Sequence, residues 1–169
     1  MSESPPYVAC LDLAGRRCVV VGDGPVAEEK AAGLRACGAE VVVAAAYEPS
    51  LLDEAWLVVV ARREDGERVA ADAQARRIFC NVADVPHLCS FILPALHRRG
   101  PITVAVSTSG ASPALAQRLR DEFAARIGPE HEQLAVELRE LRAWAKEHLP
   151  TYEARRDFFR ARVEEALAR

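Results

Sequence analysis

"VVVGDGPVAEEKAAGLRACGAEVVV", residues 19–43, decides the fold. Valines lead into a glycine turn, a helical stretch follows, and a second valine run begins three residues after Gly38. Continuous β-branched runs without alternation suit strands covered on both faces, as in a parallel sheet. The stretch between them, Pro25 to Cys37, reads as a helix ended by Gly38. In the turn, Gly22 permits the sharp exit from the strand and Gly24 lets backbone N–H groups approach a pyrophosphate. Ala27 keeps helix and strand close, which completes the G-x-G-x-x-A pattern of a dinucleotide loop. The helix start at Pro25 and Val26 adds partial positive charge facing the phosphates. A glycine turn without ligand is the plain alternative. The acid that usually reads the ribose hydroxyls would fall at Ala44 or Ala45, where no side chain can accept a hydrogen bond. Glu48 comes several residues late, so backbone groups of Ala46 and Tyr47 are the substitutes.

Working outward, strands are expected at Arg17–Val21, Glu40–Val43 and Trp56–Val60, with a weaker one in Arg77–Ala83. A second helix is expected over Asp65–Arg76. Strand alternating with helix predicts an α/β doubly wound, Rossmann-like layer. From Pro86 onward, two strand-like segments (Ser90–Pro94 and Ile102–Ser107) flank a basic turn. Ser112-Pro113 then opens a helix that stops at Gly128-Pro129. The remainder is charged and helical, with Leu134, Leu138, Leu141 and Trp144 on one stripe and Phe158, Phe159 and Val163 on another, both read as packing faces. The expected division is a nucleotide-binding domain over 1–86, a dimerisation segment over 87–128 and a helical domain over 129–169.

The 169 residues suffice for one buried core and a small appendage. A net charge of −3 argues against nucleic acid as the main partner. No apolar run is long enough to span a bilayer, so no membrane is expected. The opening "MSESPPYVAC" has neither a basic start nor an apolar core, so a cytoplasmic location is expected. Cys10, Cys18, Cys37, Cys80 and Cys89 form no metal-binding spacing and are read as buried thiols acting as small apolar groups. No metal ligand is assigned. His87, three residues after Asp84, and His97 are read as surface residues or transient ligands.

Asp84 is the first choice for catalysis. It follows a strand-like segment, at the carboxyl end where open α/β sheets place their ligands. A carboxylate there can take a proton from a substrate; the plain alternative is a turn-capping aspartate before Pro86. The hydroxyl- and glycine-rich turn "STSGAS" opens onto a helix N-terminus and suits an anion, which makes Thr108, Ser109, Gly110 and Ser112 candidate substrate-binding residues. Arg98, Arg99, Arg118 and Arg120 are candidates for pairing with carboxylates, or else solvated faces of a turn and a helix.

With "LDLAGRRCVVVGDGPVAEEKAAGLRACGAEV" followed by "IFCNVADVPHLCSFILPALHRRGPITVAVSTSGASPALAQRLRDEF", the chain resembles the siroheme synthase family, which includes precorrin-2 dehydrogenases and sirohydrochlorin ferrochelatases. The residues carrying the resemblance in the second stretch include Asn81, Val82, Asp84, Pro86, Phe91, Ile92, Pro94, Ser107, Thr108, Gly110, Ser112, Pro113, Leu119 and Arg120. The resemblance implies a homodimer, with the cleft completed by the partner's later segments. It implies NAD-dependent oxidation of precorrin-2 to sirohydrochlorin, with ferrous iron as a further substrate in bifunctional members. It puts the family's essential aspartate on Asp84, and a serine that some relatives modify on Thr108. Two departures are visible. Between the second strand and "LLDEAWLVVVA" about twenty residues are missing, one helix plus one edge strand of average length. After the third strand, "RRED" puts Arg62 where relatives have threonine. The alternative these favour is a degenerate member that chelates, carries or regulates without redox turnover.

Overall fold

The computed structural model describes residues 6–168. The chain parts into two compact units between Leu93 and Pro94.

The first unit opens with strand β1 (Arg17–Val21), helix α1 (Gly24–Arg35) and strand β2 (Glu40–Ala44). Strand β3 (Leu57–Val60), helix α2 (Gly66–Arg76) and strand β4 (Phe79–Val82) complete it. The sheet order is β2-β1-β3-β4, and every pairing is parallel. Because side chains alternate along a strand, each valine run feeds two cores at once. Val19, Val21, Val58 and Val60 join Val69 and Ala73 of α2 on one face. Cys18, Val20, Leu57 and Val59 join Ala27 and Ala31 of α1 on the other. This double covering is what the unbroken runs anticipated. Among the described residues no strand lies beyond β2, where the shortened sequence leads us to expect none, and the connection to β3 is a short 3₁₀ turn at Pro49–Leu52.

The segment read as a strand over Ser90–Pro94 is not one. It runs along the outer edge of β4 and closes it through mixed contacts. The Ser90 N–H donates to the Cys80 carbonyl at 2.8 Å, the Cys80 N–H donates to Ser90 Oγ at 2.8 Å, and the Val82 N–H donates to Cys89 Sγ at 3.2 Å. A ladder cannot continue to Pro94, which has no N–H to give.

In the second unit the basic stretch read as a turn is itself strand β5 (Ala95–Arg99), paired antiparallel with β6 (Ile102–Val106). The turn between them is only Gly100-Pro101, with Gly100 at φ +51, the glycine-first pattern of tight hairpins. Helix α3 (Pro113–Ala124) packs on both strands. Helices α4 (Pro129–His148) and α5 (Tyr152–Leu167) pair through the expected stripes: Trp144 lies 5.4 Å from Phe158, centroid to centroid.

The cysteines divide. All five are free thiols; Cys18 and Cys80 are buried, Cys37 and Cys89 partly so, but Cys10 is exposed, against the expectation of burial. Burial, and then the neighbouring Cys89, push the Cys80 thiol up to about 11, so it behaves as an apolar group.

Candidate functional site

The carboxyl ends of the four parallel strands face one way, and the first unit's candidate residues gather there. Gly22 follows β1 with φ +132, and its N–H donates to the Ala44 carbonyl at 2.8 Å. A Cβ at Gly22 would stand 3.1 Å from that of Ala61 and 3.2 Å from the Arg62 nitrogen, so only glycine passes between β1 and the end of β3. Gly24 has φ +77 and nothing within 4 Å of where a Cβ would stand. The start of α1 therefore faces open space through bare backbone. Its N-cap, Asp23, makes no side-chain cap bond, and the first turn carries no acidic residue, so the helix end is suited to an outside anion. Pro25 and Val26 are exposed at this helix start, while Ala27 is buried under the sheet. These residues fit the phosphates of a dinucleotide.

At the end of β2, Ala46 is exposed, but the side chain of Tyr47 turns inward and is 7% exposed. Its hydroxyl donates to Asp72 Oδ2 at 2.6 Å and Arg68 lies 5.2 Å from its ring centroid. Tyr47 thus offers a ligand its backbone, not its ring. Arg62 reaches back across the strand ends: Nη1 donates to the Ala45 carbonyl at 3.2 Å, and Nε faces Glu64 at 3.3 Å and Asp65 at 3.6 Å.

Asp84 stands two residues past β4, exposed, in a tight turn closed by the Val85 N–H donating to the Val82 carbonyl. Its φ of +59 is a conformation that aspartate tolerates better than most side chains. What holds this turn was not visible beforehand. Cys89 Sγ accepts from the Val82 N–H and stands within reach of the Val82 and Val85 carbonyls at 3.3 and 3.4 Å. Asn81 Nδ2 donates to the Phe91 carbonyl at 3.0 Å and approaches the same sulfur at 3.6 Å. A thiol seven residues away carries no periodic signal, so sequence reading passes over it. His87 lies exposed in the 3₁₀ turn that follows, and among the described residues no group of three or more His, Cys, Asp or Glu side chains is placed to hold a metal ion.

In the second unit, the "STSGAS" turn is tied mostly to itself. Thr108 Oγ1 accepts from the Ser112 N–H and donates to the Ser112 carbonyl, both at 3.0 Å. Ser109, at φ +53, donates its N–H to Ser107 Oγ, and Gly110 follows at φ +86. Ser112 Oγ caps α3 by accepting from the Leu115 N–H, which leaves its own hydrogen to donate outward. Arg118 and Arg120 pair on their own helix, with Glu122 and Asp121 at 2.7 Å each. On β5, His97 Nε2 and Arg99 Nε are buried without a hydrogen-bond partner among the described residues.

Two family descriptions match the chain: "Putative NAD(P)-binding" over residues 9–50 and 44–95, and "Sirohaem biosynthesis protein central" over 99–126. The two pieces of the first meet at 44–50, where the connection after β2 is short. A siroheme synthase of Citrobacter koseri is 38% identical over 87% of this chain, and one of Escherichia coli is 37% identical over the same share. The chain spans only 37% of the length of these curated relatives. A solved structure titled "SirC, precorrin-2 dehydrogenase" superposes with a TM-score of 0.70 over 96% of this chain and 92% of its own, at 22% identity, a likeness of fold.

Proposed function

Because the chain belongs to the siroheme synthase N-terminal family, we propose that it oxidises precorrin-2 to sirohydrochlorin, with NAD as hydride acceptor and Asp84 as proton acceptor. The observation that supports this is the placement of Asp84 and the Gly22–Ala27 loop at the same end of one sheet, past strands β4 and β1. Those strands are two positions apart, or about 10 Å at ordinary strand spacing. Bound there, the nicotinamide supplies the electron-pair sink; the matching proton must leave the macrocycle to a base. Asp84 is exposed at the sheet's mouth and fixed by a turn of its own, so its carboxylate is presented toward a ligand instead of being tied into the fold. Thr108, Ser109, Gly110 and Ser112 are assigned to the substrate's acidic side chains, through the outward donor of Ser112 and backbone N–H groups of the turn. The protein is assigned to the cytoplasm and to a homodimer. Ferrous iron is a further substrate, with Asp84 taking the pyrrole protons as the ion enters the ring.

The test is anaerobic incubation with precorrin-2 and NAD, followed by visible spectra. Asp84→Ala is expected to lower the rate of sirohydrochlorin formation about a hundredfold or more, with dinucleotide binding retained. An Asp84→Ala protein that turns over at the wild-type rate refutes the assignment. The second reading, a carrier or chelatase without redox turnover, draws on the short connection after β2; it would be adopted if the wild-type protein binds sirohydrochlorin but never oxidises precorrin-2.

A further inference from the structure

Asp84 depends on its neighbours to hold its turn. At φ +59 it sits in the left-handed region, which a non-glycine residue keeps only where its surroundings fix it. Much of the fixing converges on one sulfur. The Ala83 N–H donates across the sheet to the Val60 carbonyl at 2.9 Å, whereas the Val82 N–H faces the outer edge and donates to Cys89 Sγ at 3.2 Å. The same sulfur stands 3.3 Å from the Val82 carbonyl and 3.4 Å from the Val85 carbonyl, and shares its single hydrogen between them. Val82 lies two residues before Asp84 and Val85 directly after it. The thiol therefore grips the backbone on both sides of the carboxylate. A 3₁₀ turn at Pro86–Leu88 delivers it there: the Leu88 N–H donates to the Val85 carbonyl at 3.1 Å and the Cys89 N–H to the Pro86 carbonyl at 3.2 Å. At the start of α2, a Cβ on Gly66 would stand 2.9 Å from Val82 Cγ1 and 3.5 Å from Leu88 Cδ1, so the turn has no room to shift toward that helix.

We infer that Cys89 is a positioning residue for the proton transfer, acting through the backbone of Val82 and Val85 to fix where Asp84 presents its carboxylate. The inference rests on the reading of Asp84 as proton acceptor and deepens it. Sulfur suits the task by its size. A long Cβ–Sγ bond and a large radius let one atom meet three backbone groups at 3.2, 3.3 and 3.4 Å. A serine oxygen would lie closer to its own backbone and meet only part of that set. Alanine would leave the Val82 N–H, on a residue only 2% exposed, without its acceptor.

The test compares the intact wild type with Cys89→Ala, Cys89→Ser and Asp84→Ala in two measurements: turnover of precorrin-2 with NAD, and amide hydrogen exchange of the free protein. Cys89→Ala is expected to lower kcat by roughly tenfold or more, the scale that a small displacement of a reacting group carries. KM for precorrin-2 is expected to stay within about twofold of the wild type, since binding contacts are untouched. Cys89→Ser is expected to fall between. In exchange, the Val82 and Val85 amides are expected to quicken in Cys89→Ala, and less in Cys89→Ser, while those of β1 and β3 keep their wild-type rates. Should Cys89→Ala fail to fold, Cys89→Ser alone decides, by a lowered kcat and faster exchange confined to those two amides. A wild-type kcat in the cysteine variants beside an inactive Asp84→Ala overturns the positioning role and leaves the base reading standing. Exchange that quickens evenly across the sheet overturns it too, because the thiol would then serve only general stability. If the wild type never oxidises precorrin-2, or Asp84→Ala turns over at the full rate, the base reading falls and this inference with it.

Discussion

Tyr47 is a hydroxyl buried beside a carboxylate. Burial, then the hydrogen bond to Asp72, then that residue's charge, raise it from 10.0 to about 12. The sign follows from linkage: between those values the unfolded chain has released a proton that the folded protein still holds, so stability falls as pH rises across that window. Below pH 10 the contribution is complete. Tyr47→Phe removes the titrating group and the 2.6 Å bond. We expect a loss of about 1 kcal/mol at neutral pH and a shallower decline above pH 10, read by denaturant unfolding at several pH values. An alkaline limb as steep as the wild type's would locate the effect elsewhere. At this scale the sequence was a partial guide. Asp84 was legible because a strand end and a turn proline bracket it, and Gly22 and Gly24 because only glycine meets their backbone demands. The inward turn of Tyr47 was not, since its partner Asp72 lies 25 residues away on a helix whose rotation the pattern alone does not set.

The glycine loop is the element on which fold and site depend together. Gly22→Ala must place a methyl 3.1 Å from Ala61, between two buried strand ends, in a backbone conformation that side chains seldom adopt. Gly24→Ala meets no atom and suffers only the conformational cost. We expect Gly22→Ala to cost about 1–3 kcal/mol and Gly24→Ala about 1 kcal/mol, with dinucleotide binding weakened in both; thermal melts and calorimetry separate the two effects. Equal destabilisation would mean that the packing against Ala61 is not what demands glycine. The parallel strands were readable because both faces of each are covered, which leaves apolar residues at every position. The hairpin was misplaced by one segment for a related reason. Ser90–Pro94 carries strand-like side chains yet spends its polar groups on an existing edge, whereas His97-Arg98-Arg99 looks like a solvated turn yet alternates along a ladder.

For the whole molecule, the proposed homodimer predicts a solution mass of about twice the 18.5 kDa chain, measured by light scattering or sedimentation across micromolar concentrations. A single-chain mass throughout would remove a partner from the site. Among the described residues no helix is long and apolar enough to cross a membrane. The residues on either side of the division near Leu93 are equally apolar and no linker composition marks it, whereas the boundaries expected from the sequence fall after residues 86 and 128.

The two margins of the sheet are unlike. β4 is hemmed by its own chain through Ser90 and Cys89, while β2 ends the sheet with no strand beyond it among the described residues. Growth is therefore open on one side only. A helix and strand grafted between Ala44 and Pro49 would extend the layer outward, leaving the phosphate loop and the turn of Asp84 where they are. Length added or removed there falls outside both the glycine turn and the loop after β4.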